Sequence, residues 1–260
     1  MSGSASDDAH VEFERVDMAF GERQVLRGFS CRVPRGKITV ILGGSGSGKS
    51  TILRLIGGLV RPQRGTIRVD GEEVTGRSGS QLYAVRRKLG MMFQGGALLD
   101  SLTVFDNLAF PLREHTRMSE PEIAGAVHAS LAAVGLADVD GLLPGQLSGG
   151  MVKRVALARA IITKPVILLC DEPFSGLDPV SVRLIEGLLG RVNDQLRATM
   201  IVVSHHIAST MRLADWVVLL LPDGAVEGRF AELRRSPDRR VTDFLDEECA
   251  PEPAGAEARP

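Results

Sequence analysis

The chain has 260 residues, of which 44% are hydrophobic and 24% are charged, so its composition is ordinary for a soluble globular protein. These values exclude a largely disordered chain and a multi-span membrane protein, and the length suits one large domain or two small ones. Lysine and arginine total 31 against 32 for aspartate and glutamate, and the resulting net charge of -1 would not attract nucleic acid or anionic lipid. We therefore predict no nucleic-acid partner.

The two ends of the chain, 1–10 and 249–260, are predicted to be disordered. Residues 1–8 have no basic region leading into an apolar run, which argues against a secretory signal. The apolar run Trp216–Leu221 is too short to span a bilayer and is predicted as a buried strand. Three cysteines without metal-ligand spacing predict reduced thiols and no zinc site. Any role at a membrane would therefore depend on a partner.

Apolar runs alternate with helical periodicities along the chain, a pattern typical of a mainly parallel sheet whose strands are joined by helices. Strands are predicted at 11–16, 24–33, 37–42, 66–70, 166–170, 199–203 and 216–221. Helices are predicted at 49–59, within 118–143, and at 148–162 and 179–196. The fold class is therefore α/β. Polar residues that follow the buried strands should converge on one crevice.

A glycine-rich loop lies between the predicted strand 37–42 and the helix after it. It matches the pattern G-x-x-x-x-G-K-S, in which backbone N–H groups surround phosphate oxygens. Lys49 would bring a positive charge to the β and γ phosphates, and the Ser50 hydroxyl would be a ligand of Mg²⁺. A glycine-rich turn that binds nothing is the alternative, which the flanking strand and helix disfavour. The predicted ATP-binding residues of this segment are Gly43, Gly44, Ser45, Gly46, Ser47, Gly48, Lys49, Ser50 and Thr51.

Two adjacent carboxylates, Asp171 and Glu172, follow the apolar run 166–170. Adjacent like charges repel each other, and a Mg²⁺ ion would relieve the repulsion by neutralising one of them. We assign Asp171 to Mg²⁺, directly or through water, and Glu172 to polarising the attacking water. Alone, such a pair also fits a solvated strand end. Together with the glycine-rich loop it favours a nucleotide hydrolase.

The segment Leu147–Met151 reads Leu-Ser-Gly-Gly-Met. It resembles the signature motif of the ATP-binding-cassette (ABC) ATPases, in which Gln usually stands where this chain has Met151. The resemblance implies that Ser148, Gly149 and Gly150 bind the γ phosphate of ATP held by a second copy, in a head-to-tail dimer. A helix N-terminus built from small residues suits an anion in that role.

The resemblance extends over most of the chain and implies a P-loop NTPase fold. It implies an ABC-type nucleotide-binding domain over 11–236, with a RecA-like core, an antiparallel β layer and a helical subdomain at about 95–163. The segment 237–248 would follow as a docking segment, in which Phe244 and Leu245 anchor either to the core or to the second copy.

Four further positions match functional positions of the family, and a fifth departs from the family's pattern. Phe20 matches the aromatic residue that stacks on adenine, with a core phenylalanine as the alternative. Gln94 matches the glutamine that contacts Mg²⁺ and the attacking water, and Asp178 lies in a loop similar to the one that crosses the dimer interface. His205 matches the switch histidine at the γ phosphate. His206 stands where the family commonly has Asp, which puts a local hydrogen bond of the switch segment in doubt.

The segment 93–116 carries a finer resemblance. Its runs Gly-Ala-Leu at 96–98, Asp-Asn at 106–107 and Pro-Leu-Arg-Glu-His-Thr at 111–116 are similar to MlaF-type ATPases of MCE-associated phospholipid transporters. Its apolar residues also fit simple core packing. The polar run 113–116 has no evident packing reason to match. The segment 240–246 is similar to the C-terminal part of the same group.

This resemblance implies an ATPase on the cytoplasmic face of the inner membrane, peripheral to it, that drives movement of phospholipid or another hydrophobic lipid. The implied partners are an MlaE-type permease, which would dock in a groove after Gln94, an MCE-domain protein and, in some systems, a small STAS-domain regulator. Two alternatives stay open: the ATPase of a polar-solute importer, and a non-transport cassette ATPase that regulates cell-wall machinery.

Overall fold

The structure is a computed structural model, and it describes residues 9–247. The strands are β1 (Ala9–Phe20), β2 (Arg23–Pro34), β3 (Ile38–Gly43), β4 (Arg64–Val69), β5 (Glu72–Glu73), β6 (Leu89–Met92), β7 (Ile167–Asp171), β8 (Thr199–Val203), β9 (Trp216–Leu221) and β10 (Gly224–Gly228). The helices are α1 (Lys49–Ile56), α2 (Gly79–Arg86), α3 (Val104–His115), α4 (Glu120–Ala133), α5 (Gly149–Ile161), α6 (Pro179–Leu196), α7 (Ile207–Leu213), α8 (Phe230–Leu233) and α9 (Arg239–Glu247), with a 3-10 turn at Pro144–Gln146.

Strand β1 begins nearer the N-terminus than the sequence predicts. Ala9 and His10 belong to β1, so the expectation of disorder over 1–10 is wrong for these two residues. The reason is that the buried imidazole of His10 lies 2.6 Å from Oγ1 of Thr199 and 3.2 Å from Oδ1 of Asp70. The rest of the predicted disorder, at 1–8 and 249–260, lies outside the described residues.

A four-stranded antiparallel sheet in the order β2-β1-β4-β5 forms the predicted β layer. In β2, the buried residues Phe29, Cys31 and Val33 alternate with exposed Ser30 and Arg32. This period of two places one face on the core and the other in solvent.

A six-stranded sheet in the order β10-β9-β3-β8-β7-β6 forms the centre of the fold. Its four pairings from β9 to β6 are parallel, and β10 adds an antiparallel edge. Every residue of β3, β7 and β8 is buried, because both faces of the sheet are covered. Val40 and Leu42 belong to one apolar cluster and Ile41 to the other, so the two clusters lie on opposite faces.

The helices α3, α4 and α5 pack together as a helical subdomain on one of these clusters. Its predicted apolar positions Ile123, Val127, Leu131 and Val134 are all buried, as the helical spacing predicted. Helix α4 begins at a capping box in which Ser119 pairs with Glu122.

The C-terminal helix α9 packs on the core of its own chain. Val241 and Leu245 are buried in the same cluster as the helical subdomain, and Phe244 packs against it partly buried. Of the two anchors considered for the C-terminal segment, the core and a second copy, the structure shows the core.

Within residues 9–247, no helix combines the length and the apolar content needed to cross a bilayer.

Candidate nucleotide-binding site

A cavity of about 690 Å³ opens at the carboxyl ends of β3, β7 and β8. The predicted convergence of polar residues on one crevice is confirmed, since the loops after these strands all line it. Its lining residues are Phe20, Arg23, Val25, Gly43, Gly44, Ser45, Gly46, Ser47, Gly48, Lys49, Ser50, Thr51, Gln94, Glu172 and His205.

The glycine-rich loop needs its glycines for physical reasons. Gly43 and Gly48 have φ values of 155° and 100°, a region that side chains disfavour. A Cβ at Gly43 would lie 2.7 Å from Oγ of Ser47, and one at Gly48 would lie 2.7 Å from Cγ1 of Val25. The loop therefore packs tightly on itself and against β2, and the first residues of α1 line the cavity.

The loop and its lysine fit a phosphate chain. Nζ of Lys49 donates hydrogen bonds to the carbonyl oxygens of Gly43, at 2.7 Å, and Gly44, at 3.0 Å. Oγ of Ser47 is buried and has no hydrogen-bond partner among residues 9–247. Gly48 caps α1 without a side chain, so the first amides of that helix have no capping side chain. Positive charge, an unpaired hydroxyl and open amides are the groups that phosphate oxygens require.

The residues assigned to Mg²⁺ lie side by side. Oγ of Ser50 donates a hydrogen bond of 2.9 Å to Oδ1 of Asp171, which is buried at the end of β7. A hydroxyl and a carboxylate at this distance, beside a phosphate-binding loop, are oxygen donors of the kind that Mg²⁺ prefers. Gln94, the third residue assigned to the metal, follows β6 and lines the same cavity. The donor set therefore fits the ion.

Glu172 lines the nucleotide cavity and is the residue assigned as the base for the attacking water. Nδ1 of His205 is 3.0 Å from Oε2 of Glu172, and Glu172 itself is only 8% exposed. The contact is not aligned as a hydrogen bond, and this buried oxygen accepts none from the part of the chain that the structure describes. Glu172 also has a φ of 47°, uncommon for a residue with a side chain. A buried carboxylate oxygen with an unused lone pair can accept a proton from water.

Phe20 is 46% exposed at the end of β1 and lines the cavity, so the alternative of a core phenylalanine is wrong. Arg23, which sequence reasoning missed, lines the same cavity and donates a hydrogen bond of 3.4 Å to the carbonyl of Gly46. No motif in the sequence includes Arg23, so the sequence pattern did not identify it as a residue of the cavity.

The signature residues line a second, separate depression of about 260 Å³. Ser148 caps α5, its Oγ accepting a hydrogen bond of 3.3 Å from N–H of Met151, and Gly149 and Gly150 form the first turn. Asp178 borders the same depression and caps α6 by accepting from the N–H groups of Val180 and Ser181. Within one chain, the structure therefore does not bring Ser148, Gly149, Gly150 and Asp178 together with the phosphate-binding loop.

His206 provides the hydrogen bond that its substitution for Asp put in doubt. It caps α7, with Nδ1 accepting from the N–H of Ser209 at 3.2 Å. Burial lowers the pKa of His206, and the positive charge of Arg212 adds to this effect. The neutral ring, which can accept at Nδ1, is the form that the cap requires.

Lys153 is a second residue that sequence reasoning missed. It is 6% exposed in α5, and its ammonium contacts the carbonyl oxygens of Gln94 and Glu172. Burial lowers the pKa of Lys153, whereas the charges of Glu172 and Asp171 oppose that decrease. Its one sequence signal was a lysine five residues after Ser148, in a helix otherwise rich in small and apolar residues.

An apolar groove of about 870 Å³ lies between α2, α3 and the segment after Gln94. Its lining includes the exposed side chains of Tyr83, Phe93, Leu99, Phe110 and Met118. Exposed apolar side chains gathered in one groove are typical of surfaces that bind a partner.

The polar run beside the groove has local structural roles, so the expectation that it lacks a packing reason is wrong. Arg113 bridges Asp106, at 3.0 Å, and Glu120, at 2.7 Å, and thereby joins α3 to α4. Oγ1 of Thr116 donates to the carbonyl of Leu112 at the end of α3.

Comparison with known proteins agrees with this geometry. The sequence profile of the ABC transporter family matches residues 26–175. The intermembrane phospholipid transport system ATP-binding protein MlaF of Escherichia coli (strain K12) is 44% identical over 237 residues, which cover 91% of this chain and 88% of MlaF. The probable ribonucleotide transport ATP-binding protein mkl of Mycobacterium tuberculosis (strain ATCC 25618 / H37Rv) is 44% identical over 205 residues, 79% of this chain and 57% of mkl.

A solved structure gives the same result at the level of the fold. The dimeric ATP-binding cassette MJ0796, in a post-hydrolysis state bound to ADP and Pi, has a TM-score of 0.77 and 31% identity to this chain. The similarity covers 84% of this chain and 98% of that one. The chain therefore belongs to the ABC transporter family, as an ATP-hydrolysing subunit of the MlaF type.

Proposed function

We propose that this chain hydrolyses ATP to drive an inner-membrane transporter that moves phospholipid between membranes. The observation that supports phospholipid as the cargo is the 44% identity, over 91% of the chain, to a protein named for intermembrane phospholipid transport. The cavity at the carboxyl ends of the central strands supports the ATPase activity, because it gathers a phosphate cradle and a buried carboxylate.

In this proposal the loop 43–51 holds the phosphates, and Phe20 stacks on the adenine. Lys49 leaves the carbonyls of Gly43 and Gly44 for the β and γ phosphate oxygens, where its charge is better matched. Ser50, Asp171 and Gln94 would hold Mg²⁺, which would offset phosphate charge. Glu172 orients the attacking water and accepts its proton, and His205, which lies beside Glu172, contacts the γ phosphate.

A second copy completes each site in the proposed assembly. The signature depression and the phosphate cavity of the same chain share no lining residue, so in this proposal Ser148, Gly149 and Gly150 reach ATP from a partner copy. The similarity to a cassette described as dimeric supports this arrangement. Asp178, at the edge of the signature depression, would lie at the same interface.

The apolar groove is the proposed docking site of an MlaE-type permease, an arrangement that would hold the chain on the cytoplasmic face of the inner membrane. Its exposed aromatic and aliphatic side chains suit a short amphipathic helix. An MCE-domain protein and, in some systems, a STAS-domain regulator complete the proposed complex.

A polar-solute importer is the second candidate, supported by the similarity to the probable ribonucleotide transport protein. To decide, the chain is expressed with its own membrane partners, purified in mild detergent, and analysed by mass spectrometry for proteins and bound lipids. We expect a multi-span permease and enriched phospholipid. Recovery of a permease with bound nucleotide-like solute, or of a single-span partner without a permease, would contradict the proposal.

A groove variant makes the same experiment specific. Phe110→Glu places a charge in the apolar groove and should remove the permease from the purified complex. Leu59→Glu is the matched control, since Leu59 is 51% exposed and does not line the groove. Loss of the permease from both variants, or from neither, would contradict the docking site.

A further inference from the structure

The ammonium of Lys153 joins two segments that meet at the catalytic cavity. It donates to the carbonyl oxygen of Gln94, to that of Glu172 at 3.1 Å, and to Oγ of Ser175 at 3.4 Å. Lys153 is only 6% exposed, so its charge depends on these three oxygen atoms for compensation. Three acceptors match the three N–H groups of an ammonium.

The contacts are to main-chain atoms of the two residues assigned to the attacking water. Gln94 follows β6 and Glu172 follows β7, and these strands are neighbours in the central sheet. Oγ of Ser175 also donates to the carbonyl of Glu172, at 3.0 Å. The peptide after Glu172 is thus held by two side-chain donors, besides the N–H of Ser175 at 3.3 Å, at a residue whose φ of 47° needs support from its surroundings.

The segment after Gln94 is also a wall of the apolar groove. Phe93 and Ala97 line that groove, whereas Gln94 lines the nucleotide cavity. A displacement of this segment by an occupant of the groove would therefore pull on the Lys153 ammonium and, through it, on the main chain at Glu172.

We propose that Lys153 is a positioning residue for ATP hydrolysis, which ties the main chain at Gln94 to that at Glu172 and so couples the groove to the catalytic carboxylate. This inference rests on the proposed function. A lysine that is only a satisfied core residue would affect stability alone. Replacing a positioning lysine should lower the rate of turnover and leave nucleotide binding unchanged, because none of its contacts is to a residue of the phosphate-binding loop.

The test compares Lys153→Met, which removes all donors, with Lys153→Arg, which keeps them. Each variant is assembled with its membrane partners, and KM and kcat for ATP are measured alongside the dissociation constant of a fluorescent ATP analogue. For Lys153→Met we expect kcat to fall by about tenfold or more with an analogue affinity within about threefold of wild type, as for an interaction that matters only during turnover. Lys153→Arg should recover most of kcat.

The coupling is measured as the ratio of ATPase rates with and without the membrane partners. Lys153→Met should lower this ratio towards one. Lys37→Met is the matched control, since Lys37 is exposed at the opposite end of β3, and it should leave kcat and the ratio unchanged. If Lys153→Met does not fold, Ser175→Ala removes the second side-chain donor to the Glu172 carbonyl and should also lower kcat, by a smaller factor.

Unchanged kcat in folded Lys153→Met would overturn the inference, as would equal losses of affinity and kcat without recovery by arginine. A wild-type complex that hydrolyses no ATP would instead overturn the proposed function. A wild-type complex that hydrolyses ATP, together with an equally active Lys153→Met, would overturn the positioning role alone.

Discussion

Asn107 and Leu99 form a reciprocal pair of hydrogen bonds, in which Oδ1 of Asn107 accepts from N–H of Leu99 at 2.7 Å and Nδ2 donates back to its carbonyl at 3.1 Å. The same Nδ2 also reaches the carbonyls of Leu102, at 3.1 Å, and Thr103, at 3.0 Å. Because Asn107 is 1% exposed, this side chain sets the path of the loop that forms one wall of the apolar groove.

Asn107→Leu should therefore lower the free energy of unfolding by roughly 2–3 kcal/mol, because it leaves buried main-chain groups without partners. Chemical denaturation measures the change. Glu114→Ala, an exposed position on the same helix, is the control and should change stability by less than about 0.5 kcal/mol. A change for Asn107→Leu as small as that of the control would contradict this role.

Glu172→Gln should reduce ATP hydrolysis by about 10²-fold or more, because the amide cannot accept the proton of water. ATP binding should persist, since the phosphate-binding loop is untouched. The chain should therefore accumulate as an ATP-bound dimer, which size-exclusion chromatography with light scattering detects. Glu73→Gln, an exposed residue of β5, should behave as wild type. Full hydrolysis by Glu172→Gln would rule out the assigned base.

Lys49→Ala should instead weaken nucleotide binding. Charge-assisted hydrogen bonds to phosphate contribute about 1.5–3 kcal/mol, so the dissociation constant should rise roughly 10- to 100-fold. Titration with a fluorescent ATP analogue measures it. An unchanged dissociation constant would be inconsistent with a lysine that holds the β and γ phosphates.

Ser148→Arg tests the signature face of the proposed dimer independently of the phosphate-binding face. The signature depression does not open into the phosphate cavity of the same chain, so the monomer should bind nucleotide with wild-type affinity. Hydrolysis should fail, and the double variant with Glu172→Gln should not form the ATP-bound dimer. If Ser148→Arg weakened monomer binding as much as Lys49→Ala does, the signature would act within one chain.

His206 should make stability sensitive to mild acid. Its pKa is lowered in the folded chain, so the unfolded chain binds more protons and stability falls as pH drops below the ordinary value of 6.5. The groups that face it are Arg212, Glu186, His205 and Glu172. His206→Asn keeps a capping acceptor that does not titrate. The variant should match wild type at pH 8 and lose less stability at pH 5.5, as measured by thermal unfolding. Parallel losses would contradict the cap.

Local patterns in the sequence determined much of this protein. The loop 43–50 could be identified because a phosphate cradle needs glycines at positions of positive φ, followed directly by a helix. Continuous apolar runs identified β3 and β8, since strands buried on both faces have no polar side to show. The bounds of β7 differ by one residue from the predicted 166–170, since Val166 is exposed outside the strand and Asp171 belongs to it.

Weak local signals left other elements unpredicted. In α2 only Val85 is buried, so no apolar face repeats at helical spacing. The short strand β6 contains Gly90, a poor strand former on its own. A Cβ there would lie 2.1 Å from the carbonyl oxygen of Ala160, so the residue is set by a helix distant in sequence.

Contacts between distant segments were decided only by the tertiary structure. Ser50 and Asp171 meet across a separation of 121 residues, and Lys153 reaches carbonyls in the loops that follow two strands. Such contacts depend on how strands are ordered in the sheet, which no local pattern of side chains encodes. The sequence therefore determined which chemical groups the chain possesses, whereas packing decided which of them meet at one cavity and which are left for a second copy.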